Sequence, residues 1–172
     1  MKPKITPTGK EISLTDDDII VSKTDLTGRI TYANRTFMRI ANYSERQLLG
    51  IQHNIVRHPD MPRGAFKLLW DTLKSGQEFF AYVFNMTSEG HGYWVFANVT
   101  PDRDANGKVI GYFSVRRKPK PAALDVVRPI YKQMLEIEKA AGAAKATDAS
   151  IRFVQDTLKG LGTDYERFIL SI

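Results

Sequence analysis

Not one of the 172 residues is a cysteine. That excludes disulfides, thiolate zinc sites, cysteine-held iron–sulfur clusters, cysteine nucleophiles and cysteinyl photochemistry. Long apolar runs are missing too, and no stretch approaches the roughly 18 residues that a membrane span needs. The start, MKPKITPTGKEISLTDDD, has no apolar segment and does not read as a signal peptide. A cytoplasmic location is the expectation. There is no phosphate-binding glycine loop, no nucleophile–base pair and no site-like cluster of acids, which argues against an enzyme. Internal repeats are absent.

What is present belongs to a folded chain. Hydrophobic residues at 42% with charged residues at 26% leave enough apolar surface to build a core, against disorder. The length suits one domain with some appended helix. Of the net charge of +6, all but one unit falls in residues 1–118. Its dense run is Arg116-Arg117-Lys118 with Lys120. No recognition-helix pattern or zinc finger accompanies it, so it reads as a solvated strand end before a linker and not as a nucleic-acid surface.

Residues 1–15 read as a loose arm, with Pro3, Pro7 and Gly9 against regular structure. Ile19-Ile20-Val21 and Arg29-Ile30-Thr31-Tyr32 flank an Asp- and Gly-containing turn, a hairpin signal. Asn34 stands where it would cap a short helix over 35–41, and Ser44-x-x-Gln47 fits a capping box. Pro62 opens a stronger helix over 63–74, closed by Ser75-Gly76. Three strands are predicted next, over 79–86, 93–100 and 108–117, joined by glycine-containing turns. This order gives an α+β domain with a five-stranded antiparallel sheet and helices on one face.

Pro119 and Pro121 end the last strand. Val127, Ile130, Met134, Ile137 and Ala141 then recur at helical spacing, in a helix expected to start or bend at Pro129. Ile151, Val154, Leu158 and Leu161 mark a second helix, capped by Asp148. Thr163-x-x-Glu166 fits a capping box for a third. The apolar stripe of this tail has to be covered by the sheet, by its own helices or by a partner.

The element order resembles a PAS sensor domain. Ile30-Thr31-Tyr32-Ala33-Asn34 is similar to the second PAS strand running into the first helix. The ten residues from His53 to Pro62, HNIVRHPDMP, resemble the signature of the Aer-type aerotaxis PAS domains. Tyr93–Asn98 and Gly111–Arg117 are similar to their fourth and fifth strands. The resemblance covers about residues 16–118, leaving 1–15 as the arm and 119–172 as a helical C-terminal tail. It implies a bound FAD read as a redox signal in energy (oxygen) taxis. The short tail resembles the stand-alone soluble member of two-protein energy-taxis systems. That layout implies a membrane-anchored methyl-accepting chemotaxis transducer as partner, leaves a homodimer open, and calls for neither nucleic acid nor a membrane span.

An FAD site asks for a dry apolar slot, an amide able to donate and accept at the ring edge, and cations for the diphosphate. Candidates for the slot are Trp70, Phe79 and Trp94, with Phe80, Phe84 and Phe96 beside them. Asn85 and Asn98 on neighbouring strands are the candidate amides. Arg57 is the candidate phosphate cation, with Asp60 to hold it or to accept a ribose hydroxyl. Asn34, His53 and His58 complete the set on the strength of the resemblance. Two departures stand out: Phe79 replaces a family Trp, and the Phe84-Asn85-Met86-Thr87 stretch lacks the family's basic run. A haem-binding PAS gas sensor and a cofactor-free PAS interaction module are the alternative functions.

Overall fold

The computed structural model describes residues 5–172. Five strands form one antiparallel sheet in the order β4 (Phe79–Met86), β5 (Gly92–Arg103), β6 (Val109–Arg117), β2 (Ile20–Asp25), β3 (Ile30–Ala33). The arm expected to be loose adds a sixth strand, β1 (Glu11–Ile12). It runs parallel to β5, pairing Glu11 with Gly92 and Ile12 with Tyr93 beyond the reach of β6. Two backbone residues suffice because the free edge of β5 supplies the partners.

The β2–β3 turn is built by Asp25, whose carboxylate accepts from the N–H groups of Thr27 at 2.8 Å and Arg29 at 3.0 Å. Gly28 follows at φ +83°, a left-handed position that favours glycine. Asn34 caps α1 (Arg35–Ala41): its Oδ1 accepts from Phe37 N–H at 2.9 Å and from Val21 N–H at 3.0 Å. The Ser44–Gln47 capping box starts α2 (Glu45–Leu48). A 3₁₀ turn over His53–Val56 leads to α3 (Arg63–Lys74), whose bounds match the sequence expectation. β5 runs three residues further than expected, through Pro101. Past Val99 only β6 flanks it, and such an edge tolerates a residue without an N–H.

The sheet buries both faces. On one side Phe37, Leu48, Ile20, Ile30, Tyr93 and Val95 form a closed core. On the other, cross-strand pairs Tyr82–Phe96 and Phe84–Trp94 meet the tail helices α4 (Pro121–Ala141), α5 (Ala146–Gly160) and α6 (Tyr165–Ser171). Val127, Tyr131 and Met134 of α4 are buried there. The helix passes through Pro129 and takes its start from Pro121 in the first turn, so the expected start or bend at Pro129 is replaced by one long element. α5 begins at Ala146 with Asp148 inside its first turn, and α6 is capped by Asp164, not by Thr163. The Asp164 carboxylate is one residue closer and accepts from Arg167 N–H at 2.8 Å.

The tail also closes over α3. Glu138 of α4 accepts from the backbone N–H groups of Arg63 at 2.9 Å and Gly64 at 2.8 Å, and from the Ser150 hydroxyl of α5 at 2.7 Å. It therefore caps a helix 74 residues earlier in the chain. A Cβ on Gly64 would stand 2.3 Å from Ser150 Oγ, so this contact requires glycine.

Candidate functional site

Between α3 and the inner face of the sheet lies a cavity of about 220 Å³. Strand alternation decides what enters it. Phe79, Ala81, Val83 and Asn85 of β4 face it, as do Ala97 and Val99 of β5. Tyr112, Ser114 and Arg116 come from β6, and Ser22 and Thr24 from β2. Phe66, Leu69, Trp70 and Leu73 form the wall from α3; Gln52, His53, Asn54 and Arg57 come from the loop before α3, here called the rim loop. Trp70 meets Tyr112 edge-on at 5.3 Å.

The polar end of the cavity is a buried cluster. Arg116 is 2% exposed, lies over the Phe37 ring at 4.5 Å and donates from Nη2 to Ser22 Oγ. Ser22 Oγ is also 3.0 Å from His53 Nε2. Burial, reinforced by the Arg116 charge, pushes His53 down to about 3, so the imidazole is neutral at physiological pH. Burial likewise lowers Arg116 to about 10, and it remains a cation. Its Nε and Nη1 are buried with no hydrogen-bond partner among the described residues. Two orphaned cationic donors beside a cavity call for an acceptor that the described residues do not provide.

Five of the ten residues singled out from the sequence meet at this cavity: His53, Arg57, Trp70, Phe79 and Asn85. Asn85 is buried, and its backbone forms an isolated bridge with that of Arg57, which ties the rim loop to β4. Arg57 stacks on Phe66 at 3.9 Å and donates to the Met61 carbonyl at 3.1 Å; Asp60 is not the acceptor in that bond.

The other five lie elsewhere. Asn34 is occupied as the α1 cap. His58 is buried against the Phe84 ring at 4.1 Å, and its Nδ1 accepts from Asp60 N–H at 3.1 Å. The Asp60 side chain is 72% exposed. Trp94 points to the opposite face of the sheet, stacked on Phe84 at 4.8 Å with Arg128 over it at 5.0 Å. Asn98 shares that outer face and donates to Glu78 at 3.0 Å. Phe80, Phe84 and Phe96 sit there too. Facing amides were expected from adjacency of the strands, but register pairs Asn98 with Phe80 and puts Asn85 on the other side.

Arg116 is the residue that sequence reading missed. The charge run reads as solvated from the sequence, yet only Arg117 is exposed and Arg116 is buried. The signal was available in the alternation Tyr112, Ser114, Arg116, which places Arg116 on the inward face. Its partner Ser22 is a polar residue in a β-branched strand.

Among the described residues no three His, Asp or Glu side chains group as a metal site. His91, in the β4–β5 turn, sits against Thr8 at 2.8 Å, and His58 is packed outside the cavity. His53 is the single imidazole at the cavity, and its Nε2 is engaged by Ser22. This arrangement does not favour axial ligation of a haem.

The PAS fold family matches residues 30–116, and the chain belongs to it. A relative is the aerotaxis receptor of Escherichia coli, 41% identical over 127 residues, which are 74% of this chain and 25% of that protein. The nitrogen fixation regulatory protein of Klebsiella pneumoniae is 30% identical over 99 residues, 58% of this chain and 20% of that protein. The chain thus spans a quarter or less of either relative. A solved structure from work on a flavin analogue and the light-oxygen-voltage domain mechanism superposes with a TM-score of 0.57 at 19% identity, over 67% of this chain and 86% of that one. The sensor-domain fold is thereby shown. No described helix is long and apolar enough to cross a membrane.

Proposed function

We propose that this chain is a flavin-binding PAS sensor, with FAD as its cofactor, that reports redox or energy state to a chemotaxis transducer. The observation that carries the reading is Arg116. Its Nε and Nη1 have no partner among the described residues, at the polar end of a cavity large enough for a cofactor ring system. The residues present fit an isoalloxazine. Trp70, Leu69, Phe79 and Val83 offer apolar walls, and the Asn85 carboxamide offers a donor and an acceptor. Arg116 offers two donors, and neutral His53 holds Ser22 in place beside it. A bound flavin supplies reversible electron transfer; the chain supplies burial, hydrogen bonds and one fixed positive charge.

The similarity to an aerotaxis receptor and to a light-oxygen-voltage domain studied with a flavin analogue supports this reading. In it, residues 16–118 sense and residues 119–172 transmit. Arg116 stands on β6 just ahead of the Lys118–Lys120 connection to α4, so a change of charge in the cavity pulls on the strand that leads into the tail. The protein is expected to act in the cytoplasm beside a membrane-anchored methyl-accepting transducer.

The test is the absorption spectrum of the purified protein and of the molecule released on denaturation. A flavin spectrum, with FAD in the supernatant or retained after addition to the apoprotein, supports the proposal. A Soret band, or failure to retain added FAD, overturns it.

A further inference from the structure

A second, open cleft of about 390 Å³ lies where the rim loop meets α4 and α5. Arg57 lines both this cleft and the cavity, so the two are neighbours across a single guanidinium. From the sensor domain the cleft takes Pro59, Met61 and Arg63; from the tail it takes Leu135, Glu138 and Lys139. Glu138 is its one carboxylate, and both oxygens are already committed, to two backbone N–H groups and the Ser150 hydroxyl. Arg63 and Lys139 have no carboxylate within ion-pair distance among the described residues.

We propose that this cleft holds the diphosphate and adenosine half of a dinucleotide flavin, with Lys139 of the tail and Arg63 of α3 as phosphate-binding cations. The inference rests on the flavin reading above and deepens it, because it makes the tail part of the cofactor site. Three cations against one carboxylate leave two net positive charges, which match the two negative charges of a bridging diphosphate. The apolar side chains of Met61, Pro59 and Leu135 provide surface for a base. Arg57 is common to both linings, so a ligand whose ring system sits in the cavity can continue past Arg57 into the cleft. The sensor loop and the tail then share one ligand. By linkage, a dinucleotide strengthens docking of α4, and docking of α4 strengthens dinucleotide binding. Riboflavin, which ends before the phosphates, gains nothing from the cleft.

The test is fluorescence titration of the full-length apoprotein with FAD and with riboflavin, for the wild type, Lys139→Glu and Arg63→Glu. The expected result is a loss of FAD affinity of roughly tenfold in each variant, with riboflavin affinity unchanged and Lys139→Arg close to the wild type. Wild-type FAD affinity in both variants, or equal losses for FAD and riboflavin, overturns the assignment of the cleft while leaving the flavin reading in place. A wild-type protein that binds neither flavin overturns the flavin reading itself.

Discussion

The ring of Phe79, which lines the sensor cavity, lies flat against the ring of Tyr165 in the last helix, with centroids 5.1 Å apart and planes 7° from parallel. The cavity wall and the end of the chain are thus in direct contact. Phe79 opens β4 at the edge of the sheet, and α6 packs along that edge. Burial holds the Tyr165 hydroxyl well above the ordinary tyrosine range, so the ring stays neutral. In a double-mutant cycle of Phe79→Leu and Tyr165→Leu, the coupling measured by urea denaturation is expected at about 0.5–1.5 kcal/mol, the usual size of an aromatic pair. Additive losses would mean that α6 does not register changes in the cavity wall.

Replacing Arg116 by Met should separate stability from binding. The guanidinium is buried with two donors unmatched, so its removal is expected to leave the apoprotein as stable or more stable by about 1–3 kcal/mol. Flavin affinity should fall at least roughly tenfold in the same variant. Urea midpoints and a flavin titration check the two halves. A destabilised apoprotein with unchanged flavin affinity would make Arg116 a structural residue.

His53 predicts a pH dependence. In the folded chain it titrates at about 3, against 6.5 ordinarily. Between those values the unfolded chain binds a proton that the folded chain does not. Stability therefore falls as the pH drops through 6.5, by up to about 1.4 kcal/mol per pH unit. The lowered carboxylates of Glu11, Asp18 and Asp25 act in the same direction at lower pH, below about 5, so the His53 contribution is read above that. His53→Gln should flatten the slope there, as measured by denaturation at a series of pH values. An unchanged slope would place the titration at another group.

Gly64 and Ser150 should behave as a pair. Gly64→Ala drives a methyl into Ser150 Oγ and is expected to lower stability by about 1–3 kcal/mol. Adding Ser150→Ala removes that oxygen and should recover part of the loss. Glu138→Ala leaves two N–H groups of α3 uncapped and is expected to cost about 0.5–2 kcal/mol. Thermal denaturation reads all three. Independent, additive effects of Gly64→Ala and Ser150→Ala would contradict the contact.

Local signals were enough for the order of the elements from β2 to α6. Asn34, the Ser44–Gln47 box, Pro62 and the glycine turns act through hydrogen bonds and dihedral limits within a few residues. The bounds of α3 and β4 were legible for that reason, and the ten-residue His53–Pro62 stretch was enough to indicate the PAS family. Period-two alternation was legible as well, and it separated Trp94, Phe96 and Asn98 from Tyr93, Val95 and Val99.

Tertiary structure alone decided which of the two faces became the cavity. That choice depends on register between strands far apart in the chain, which pairs Asn98 with Phe80 and turns Asn85 inward. It also depends on what covers each face: α3 over one side, the tail over the other. The same packing buried Arg116 while its neighbour Arg117 stayed in water, a difference no charge count reveals. It drew the N-terminal arm onto the free edge of β5, where unpaired backbone groups were waiting for partners. And it brought Glu138 to the start of α3, because a helix end needs acceptors for its N–H groups and accepts them from any part of the chain that reaches it.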